Sequence, residues 1–400
     1  MSAHRQTPAP PRHLLPLFLL LALLLPRSLA AQDAPSSKEP RTLHLVFAGD
    51  IMGHDVNYHM ADYHDIYRGV QQYIGGADLA VANLELPVDP TRPASGYPWF
   101  NGSAAYVRAA VDAGFNVLST ANNHAFDGGT EGILQTLRTL HGLDTSPARP
   151  LVFSGTRGNP RRPFLPESFL VQGVRVGFIA VTQFLNEPDQ GRYVDVVDYT
   201  DPLAAECFLR FLRDTSRQYD LLIVSYHGDQ EYASEASARK SAFFRRMLAA
   251  GVHIVFAHHP HVVQPYELVR AEGGGRLIMY SMGNLISAMT WTMDPATADE
   301  TTAETGEAYL LSVDVRCAPE GCSVQQVSPI PVANYRNARG EMVVGSLSDL
   351  AAGSIGLPAA WRSFYARRLE RMRRFLGASE SSATPPGGAA NPPGGGAEDQ

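Results

Sequence analysis

The sequence predicts an α/β fold with a largely central, mixed sheet, on three observations. Short apolar runs recur through the first two-thirds of the 400-residue chain, and amphipathic stretches such as "AAYVRAAVDAG" and "PLAAECFLRFLRDTSRQ" separate them. This alternation of strands and helices is typical of the class. One stretch, "ESFLVQGVRVGFIAV", breaks it as a hairpin that turns at Gln172-Gly173, which makes the sheet mixed. The runs are "LHLVFAGD", "ADLAVANLE", "FNVLSTANN", "VRVGFIAVTQ", "LLIVSYHG", "IVFAHHPH" and "LIMYSMGN".

The N-terminus predicts a secretory signal peptide over residues 1–31. Basic residues precede an apolar run over residues 14–25, and "SLAAQ" follows it, which is the charged, apolar, small-residue order of such signals. A spanning helix needs about 18 or more apolar residues, whereas this run is shorter and contains Pro16. We therefore expect an exported protein, periplasmic or extracellular, whose mature chain begins near Ala31 or Gln32. A retained N-terminal anchor is the alternative.

The rest of the chain is expected to fold over residues 41–376. Residues 379–400 are rich in Pro, Gly, Ser and Ala and are expected to be disordered, because they cannot bury enough apolar surface to offset the entropy of ordering. The composition is otherwise that of a globular protein, 44% hydrophobic and 18% charged, with a net charge of -7. Nucleic-acid binding usually shows a basic patch, so we expect no nucleic-acid partner.

Two of the three cysteines predict a disulfide. Cys317 and Cys322 flank "APEG" between two strand-like runs, and a hairpin there would bring the thiols within bridging distance. Cys207 lies in the helical pattern "AAECFLRFLRD" and is expected to be a buried apolar residue.

Nearly every apolar run ends in Asp, Glu, Asn or His. If the strands run in the same sense, their carboxyl ends line one edge of the sheet, which is where open α/β sheets bind ligands. A single polar ending indicates a turn, but repeated endings of this kind indicate a shared site. The endings are Gly49-Asp50, Asn83-Leu84-Glu85, Asn122-Asn123-His124, Tyr226-His227-Gly228, His258-His259-Pro260-His261 and Gly283-Asn284.

This set of side chains favours a metal site. Oxygen and imidazole ligands without cysteine suit Mn, Fe or Zn, and Mg less well. Five or six candidate ligands allow one or two divalent ions, and two ions a few ångströms apart are usual in phosphoester cleavage; Asp50 or Glu85 could bridge them. Asp229 and Glu231 are expected to support the site or to be exposed loop carboxylates. The histidines of the Tyr-rich loop are expected at the surface: His54, His59 and His64.

Several ordered motifs resemble the CapA family of bacterial poly-γ-glutamate capsule synthesis proteins. They are "AGDIM", "ANLELPV", "NNHAFDGG", "YHGDQEY", "HHPHVVQ" and "YSMGNLI", spread over residues 43–286. That family is placed in the calcineurin-like metallophosphoesterase superfamily. The resemblance implies a four-layer α/β/β/α sandwich with mixed sheets and a metal site at the carboxyl ends of the strands.

The resemblance also implies roles for single residues. His124 and Asp127 match a catalytic dyad that polarises the phosphate. Met52 departs from the superfamily's pattern, because it stands where the first motif has a histidine, and a thioether is a poor ligand for these ions. The first of two metals would therefore lose a ligand. The implied metal ligands are Asp50, Glu85, Asn123, His227, His259 and His261.

Three functions agree with these observations. The leading hypothesis is an exported phosphoesterase-type protein of capsule synthesis, acting on a phosphoester or an anionic polymer. A second is a non-catalytic subunit that supports a membrane-bound polyglutamate synthetase. A third is a secreted phosphoesterase with an unrelated substrate. No Gly-x-Ser-x-Gly motif is present, which argues against a serine hydrolase.

Overall fold

Two mixed β-sheets form the framework of the protein. The computed structural model describes residues 39–143, 149–189, 192–271 and 274–381; the predicted signal peptide and residues 382–400 lie outside this part. In chain order the strands are β1 (Arg41–Ile51), β2 (Leu79–Leu84), β3 (Val117–Ser119), β4 (Val152–Ser154), β5 (Glu167–Val171), β6 (Val174–Thr182), β7 (Leu221–His227), β8 (Ile254–His258), β9 (Tyr266–Ala271), β10 (Gly274–Met279), β11 (Asn284–Ile286), β12 (Glu307–Ala318), β13 (Gly321–Arg336) and β14 (Met342–Ser346).

The helices lie mainly in the connections between the strands. They are α1 (Gln71–Ile74), α2 (Ala104–Ala113), α3 (Gly129–Gly142), α4 (Pro202–Ser216), α5 (Ala238–Ala249), α6 (Glu300–Glu304), α7 (Leu347–Ala352) and α8 (Ala359–Ser381), with short 3-10 helices at Asp55–His59 and Tyr63–Ile66. Helix α8 ends at Ser381 and so includes the first three residues of the stretch that the sequence predicts to be disordered from residue 379. None of the helices in the described ranges is long and apolar enough to cross a membrane.

Both sheets combine a run of parallel strands with antiparallel strands, which lie at one edge of the first sheet and at both edges of the second. The first has the order β14-β13-β12-β1-β2-β3-β4, with β11 also pairing β1, and the second has the order β5-β6-β7-β8-β10-β9. Strands β1 to β4 are parallel, as are β6, β7, β8 and β10, whereas β5, β9, β12, β13 and β14 join by antiparallel pairing. The mixed character expected from the sequence is confirmed.

Alternation along the second sheet separates two cores. On β7, Leu221 and Ile223 belong to the core shared with the first sheet, whereas Leu222 and Val224 join the core formed with α4 and α5. This follows from the two-residue period of a strand, which sends neighbouring side chains to opposite faces. The inter-sheet core brings Phe47 of the first sheet to a ring distance of 5.5 Å from Phe256 of the second. The layers are therefore those of the expected α/β/β/α sandwich.

The predicted hairpins are present. The turn between β5 and β6 has positive φ angles at Gln172 (50°) and Gly173 (83°), which suit a tight two-residue hairpin turn. Cys317 and Cys322 are directly paired across β12 and β13 and form the expected disulfide. Cys207, however, is exposed, so the expectation of burial is wrong.

The spacing of the helix explains the error at Cys207. Helix α4 buries one stripe of side chains at helical spacing, and Cys207 lies outside it. An amphipathic helix exposes the face away from such a stripe. The buried residues are Ala205, Phe208, Leu209, Leu212 and Thr215.

Strand register brings the polar endings together. Asp50 pairs with Asn83 on one side and with Asn284 on the other, and His227 pairs with His258. The seventh apolar run does not form a single strand. It leaves the second sheet after Met279 and enters the first as β11, so Asn284 reaches the site at the beginning of a strand.

Candidate metal centre

A buried cluster of carboxylates, amides and imidazoles occupies the strand ends. Seven of the eight residues predicted from the sequence are buried, with exposures from 0 to 4%. The eighth, Asp127, is part-buried, and its side chain is 1% exposed. The cluster contains four groups of three residues, and within each group the three ligand atoms lie within 4.8 Å of one another. The groups are Asp50, His227 and His258; Glu85, His227 and His259; Glu231, His259 and His261; and Asp50, Glu85 and His261.

Asn83 holds the two buried carboxylates. Its Nδ2 donates to Asp50 Oδ1 at 2.9 Å and to Glu85 Oε2 at 3.1 Å. Asn122 Nδ2 donates to Asn83 Oδ1 at 3.3 Å, which fixes the amide with its donor side toward the carboxylates. Next to Asp50, Gly49 allows the backbone at Gly283 to approach closely, because a Cβ at Gly49 would lie 1.8 Å from the Gly283 carbonyl oxygen.

Each carboxylate keeps one oxygen without a hydrogen-bond partner. Asp50 Oδ2 and Glu85 Oε1 are both buried and unpaired among the described residues. Asp50 Oδ2 lies 3.4 Å from His261 Nδ1, and Glu85 Oε1 lies 3.6 Å from His227 Nε2 and 3.8 Å from His261 Nε2. A buried, unpaired carboxylate oxygen is costly. Its position among imidazole nitrogens fits a divalent metal, which binds both groups.

His227 lies at the middle of the cluster. Its Nε2 is 2.7 Å from Asn123 Oδ1 and 3.0 Å from His259 Nδ1, and its Nδ1 is 2.7 Å from His258 Nδ1. Asn123 Nδ2 donates to Asn186 Oδ1 at 3.3 Å, so its carbonyl oxygen faces the cluster as a metal ligand would. The structure thus joins side chains from three separate strand ends.

His261 has a fixed tautomer. Asn284 Nδ2 donates to the Thr305 carbonyl oxygen at 2.9 Å, which leaves Asn284 Oδ1 facing His261 Nδ1 at 3.0 Å. The ring therefore donates through Nδ1 and keeps the Nε2 lone pair for a ligand position. Hydrogen bonding of this kind orients histidines that bind metals.

The pKa values of the two carboxylates shift in opposite directions. Burial raises the pKa of Glu85 well above its usual value, and the negative charge of Asp50 adds to the rise. Burial opposes ionisation of Asp50 as well, but the nearby imidazoles of His261 and His258, together with the hydrogen bond from Asn83, hold its pKa below the usual value. A divalent cation would allow both carboxylates to ionise.

Burial also keeps most of the imidazoles neutral. It lowers the pKa of His227 well below the usual value, that of His258 to about 4 and that of His259 to about 3. His261 is the exception, because the nearby Asp50 carboxylate and the hydrogen bond to Asn284 outweigh burial and raise its pKa. Neutral imidazole is the form that binds metal.

The loop after β8 sets the separation of two of these rings. His259 and His261 have φ angles of 105° and 58°, with Pro260 between them, and their ring centroids lie 5.7 Å apart. Non-glycine residues in this region carry strain of about 1–3 kcal/mol each and concentrate at functional sites. The loop therefore holds the two imidazoles at a defined spacing.

His124 and Asp127 lie beside the cluster. His124 Nδ1 is 2.8 Å from Asp127 Oδ2, and Asn186 Nδ2 is 3.4 Å from both ring nitrogens. Asn186 also donates its backbone N–H to the Asn123 carbonyl oxygen at 2.9 Å. Asn186 thus fixes the position of His124 relative to Asn123.

Met52 is a core residue. It is 4% exposed and belongs to the inter-sheet core, and its carbonyl oxygen accepts a hydrogen bond from Tyr106 Oη at 2.6 Å. Its position agrees with the loss of a ligand that the sequence indicates.

Two residues at the site, His258 and Lys240, were not predicted as site residues from the sequence. His258 alternates with Ile254 and Phe256 of β8, whose side chains face the inter-sheet core, and the two-residue period was the signal that could have identified it. Lys240 had no such signal: it is buried on α5, where Nζ donates to the carbonyl oxygens of Gly228 (3.1 Å) and Tyr280 (3.0 Å), and burial lowers its pKa to about 8.

The expectation of surface histidines holds for His59 and His64 but is wrong for His54. His54 is half-buried, Ala288 N–H donates to its Nδ1 at 3.2 Å, and its ring packs edge-on against Phe100 at 5.4 Å. Burial lowers its pKa to about 4. These contacts come from segments that are distant in the chain, and the local sequence did not indicate them.

A buried cluster of carboxylates, amides and imidazoles at the strand ends of two mixed sheets is the arrangement that the resemblance implies. The sequence profile described as "Bacterial capsule synthesis protein PGA_cap" matches residues 44–289. The chain belongs to that family.

Named relatives agree with the family. The chain is 27% identical over 311 residues to "Capsule biosynthesis protein CapA" of Bacillus anthracis, covering 74% of this chain and 71% of the relative. It is 27% identical over 235 residues to "PGA biosynthesis protein CapA" of Bacillus subtilis, covering 57% of this chain and 58% of that one. A "Probable polyglutamine synthesis accessory protein" of Mycobacterium tuberculosis is 27% identical over 190 residues, 43% of this chain and 45% of the relative.

Solved structures with similar folds are more distant. A calcineurin-like phosphoesterase, YfkN of Bacillus subtilis, has a TM-score of 0.39 and 12% identity, covering 86% of this chain and all of the aligned chain. A hypothetical protein from Thermus thermophilus has a TM-score of 0.39 and 18% identity, covering 72% of this chain and 98% of that one.

Proposed function

We propose that the protein is an exported, metal-dependent phosphoesterase that acts in the synthesis or release of a poly-γ-glutamate capsule. The observation that carries this proposal is the pair of buried, unpaired oxygens, Asp50 Oδ2 and Glu85 Oε1, facing imidazole nitrogens. One or two ions of Mn, Fe or Zn would satisfy both. The residues that would hold them are Asp50, Glu85, Asn123, His227, His258, His259 and His261.

A bound divalent ion would supply positive charge that polarises a phosphoryl group. The protein's own contribution is the position of His124 at the edge of the cluster. Asp127 accepts a hydrogen bond from Nδ1 and so orients the ring. In the imidazolium form, in which both ring nitrogens carry protons, Nε2 would donate a hydrogen bond to a phosphoryl oxygen. Such a preorganised donor stabilises the charge that develops in the transition state.

Membership of the capsule synthesis family supports the biological role. The Bacillus relatives are described as proteins of capsule and PGA biosynthesis. The N-terminal apolar run and the small residues after it support export. The substrate would then be met outside the cytoplasm, either as a phosphoester of assembly or at the polymer itself.

A second candidate function is a non-catalytic accessory role beside a membrane-bound synthetase. The mycobacterial relatives are named as probable accessory proteins, and Met52 occupies a position at which a metal ligand is expected in the superfamily. In this case the cluster would bind metal for structure or polymer binding without turnover.

Metal analysis combined with a phosphoester assay tests the proposal. The exported chain is purified, its Mn, Fe and Zn contents are measured, and hydrolysis of p-nitrophenyl phosphate and bis-p-nitrophenyl phosphate is followed with each metal. His227→Ala is compared with His64→Ala, which removes an exposed histidine away from the cluster. The melting temperature of each variant reports on folding.

We expect metal-dependent turnover that His227→Ala abolishes and His64→Ala preserves. Bound metal without turnover on any phosphoester, with normal capsule formation by the His124→Ala variant, would support the accessory role. Absence of bound metal under all conditions would contradict both candidates.

A further inference from the structure

Exposed aromatic side chains surround the candidate metal centre. Tyr97, Trp99, Phe184 and Tyr232 are 73%, 57%, 37% and 46% exposed. They make up half of the eight large hydrophobic side chains exposed in the described part of the chain. Single exposed hydrophobic residues are ordinary, but a cluster beside a polar site indicates a binding surface. We call these four residues the aromatic rim.

Three rings of the rim each contact a different histidine of the site. Their ring centroids lie 6.5 Å apart for Tyr97 and His124, 5.1 Å for Phe184 and His259, and 6.2 Å for Tyr232 and His261. The rings come from three loops, which follow β2, β6 and β7. Since the histidines belong to one site, the three rings lie at the border of that site.

Charged groups lie between the rings. Trp99 Nε1 donates to Glu187 Oε1 at 3.4 Å, and exposed Glu231 lies with His259 and His261 in one of the candidate ligand groups. The rim therefore has carboxylate acceptors near its aromatic faces.

We propose that the substrate carries a hydroxylated ring, such as a sugar, next to its phosphoester group. The C–H face of the ring packs on the aromatic rim, its hydroxyl groups donate to Glu187 and Glu231, and the phosphoryl group meets the metal centre. An extended polyanion has no such face, and the two carboxylates would repel it. Of the two substrates considered under the proposed function, this inference therefore selects a phosphoester of assembly over the polymer itself. This inference rests on the proposed phosphoester chemistry of the same site.

Titration calorimetry of the full-length, Mn-loaded protein tests the ring directly, independently of turnover. The probes are glucose 1-phosphate, glycerol 3-phosphate, adenosine 5′-monophosphate and inorganic phosphate. Glucose 1-phosphate should bind at least about tenfold more tightly than glycerol 3-phosphate, because only its ring has a C–H face that buries apolar surface against the aromatic side chains. Tyr97→Ala and Tyr232→Ala should reduce that ratio, whereas Leu203→Ala, an exposed apolar residue on α4, should preserve it.

Failure of this inference differs from failure of the proposed function. Equal binding of glucose 1-phosphate and glycerol 3-phosphate, or a ratio unaffected by both tyrosine substitutions, overturns the ring proposal even if phosphoesters are hydrolysed. Tighter binding of adenosine 5′-monophosphate than of glucose 1-phosphate, lost in the tyrosine variants, replaces the sugar with a nucleobase. A tenfold preference for glucose 1-phosphate over glycerol 3-phosphate, in a protein that hydrolyses no phosphoester, supports the inference of a ring-bearing ligand. It rejects only the proposal that the protein is a hydrolase.

Discussion

A single carboxylate oxygen of Asp127 accepts hydrogen bonds from both the His124 ring and the loop that covers it. Asp127 Oδ2 lies 2.8 Å from His124 Nδ1 and 2.8 Å from the backbone nitrogen of Phe100. The Phe100 ring then packs edge-on against His124 at 4.6 Å. Asp127 thus accepts a backbone hydrogen bond from the loop that His124 does not make. Substitutions can therefore separate the catalytic role of the pair from its role in holding the loop.

His124→Ala is expected to preserve metal content and to change the melting temperature little, while phosphoester turnover falls by about 10²–10³-fold. The reason is that the ring donates to substrate, whereas the loop keeps its bond to Asp127. Asp127→Asn weakens both contacts and should lower turnover and stability together. If His124→Ala instead reduces stability first and activity only in proportion, the pair is a loop tie and not a catalytic dyad.

His259→Ala and Asn123→Ala are each expected to lower metal stoichiometry or affinity. Each substitution removes a ligand atom within 3.0 Å of His227 Nε2. Elemental analysis of the purified variants measures the change, and His59→Ala serves as the control because its side chain is exposed. Metal contents equal to that of the wild type in both variants would exclude these residues as ligands.

Native protein without reductant should show one reactive thiol, Cys207. The structure makes this prediction sharper, since Cys207 is exposed and the other two cysteines are bonded. Reduction should cost about 2 kcal/mol or less, because the loop that the disulfide closes is short. Thiol counting before and after denaturation checks both statements, and three thiols in the unreduced protein would reject the bridge.

His253 should make folding sensitive to acid. Its Nδ1 accepts from the Leu222 N–H at 3.1 Å, and burial, with a smaller effect of the Arg276 charge, lowers its pKa from 6.5 to about 3. The folded state therefore binds fewer protons than the unfolded state between these values. This contribution to stability is complete above pH 6.5 and is lost by up to about 1.4 kcal/mol per pH unit as the pH falls toward 3.

The comparison with His253→Asn isolates this contribution. The asparagine Oδ1 can accept the same N–H without titrating. Urea unfolding at pH 7, 6 and 5, at constant metal concentration, should show a smaller loss of stability in the variant. Parallel losses in the two proteins would mean that His253 is not the titrating group.

N-terminal sequencing of the exported protein should begin near Ala31 or Gln32. The apolar run and "SLAAQ" motivate this prediction, because signal peptidases cleave after small residues. Recovery of an intact N-terminus in a membrane fraction would favour the retained anchor, and recovery in the cytoplasm would contradict export.

The sequence alone determined the fold class, the hairpins, the disulfide and most of the candidate site. These rest on local signals: the period of apolar residues, the turn at Gln172-Gly173, and polar residues placed where strands end. Motif order added the family, and the profile match to residues 44–289 confirms it.

Tertiary structure decided how those local pieces meet. Asp50 faces Asn284 because the chain crosses from one sheet to the other after β10, and no local pattern records that crossing. Lys240 enters the site from α5, and His54 is covered by a distant backbone segment at Ala288. Burial and pairing depend on the register between distant strands, which the sequence of a single segment does not contain.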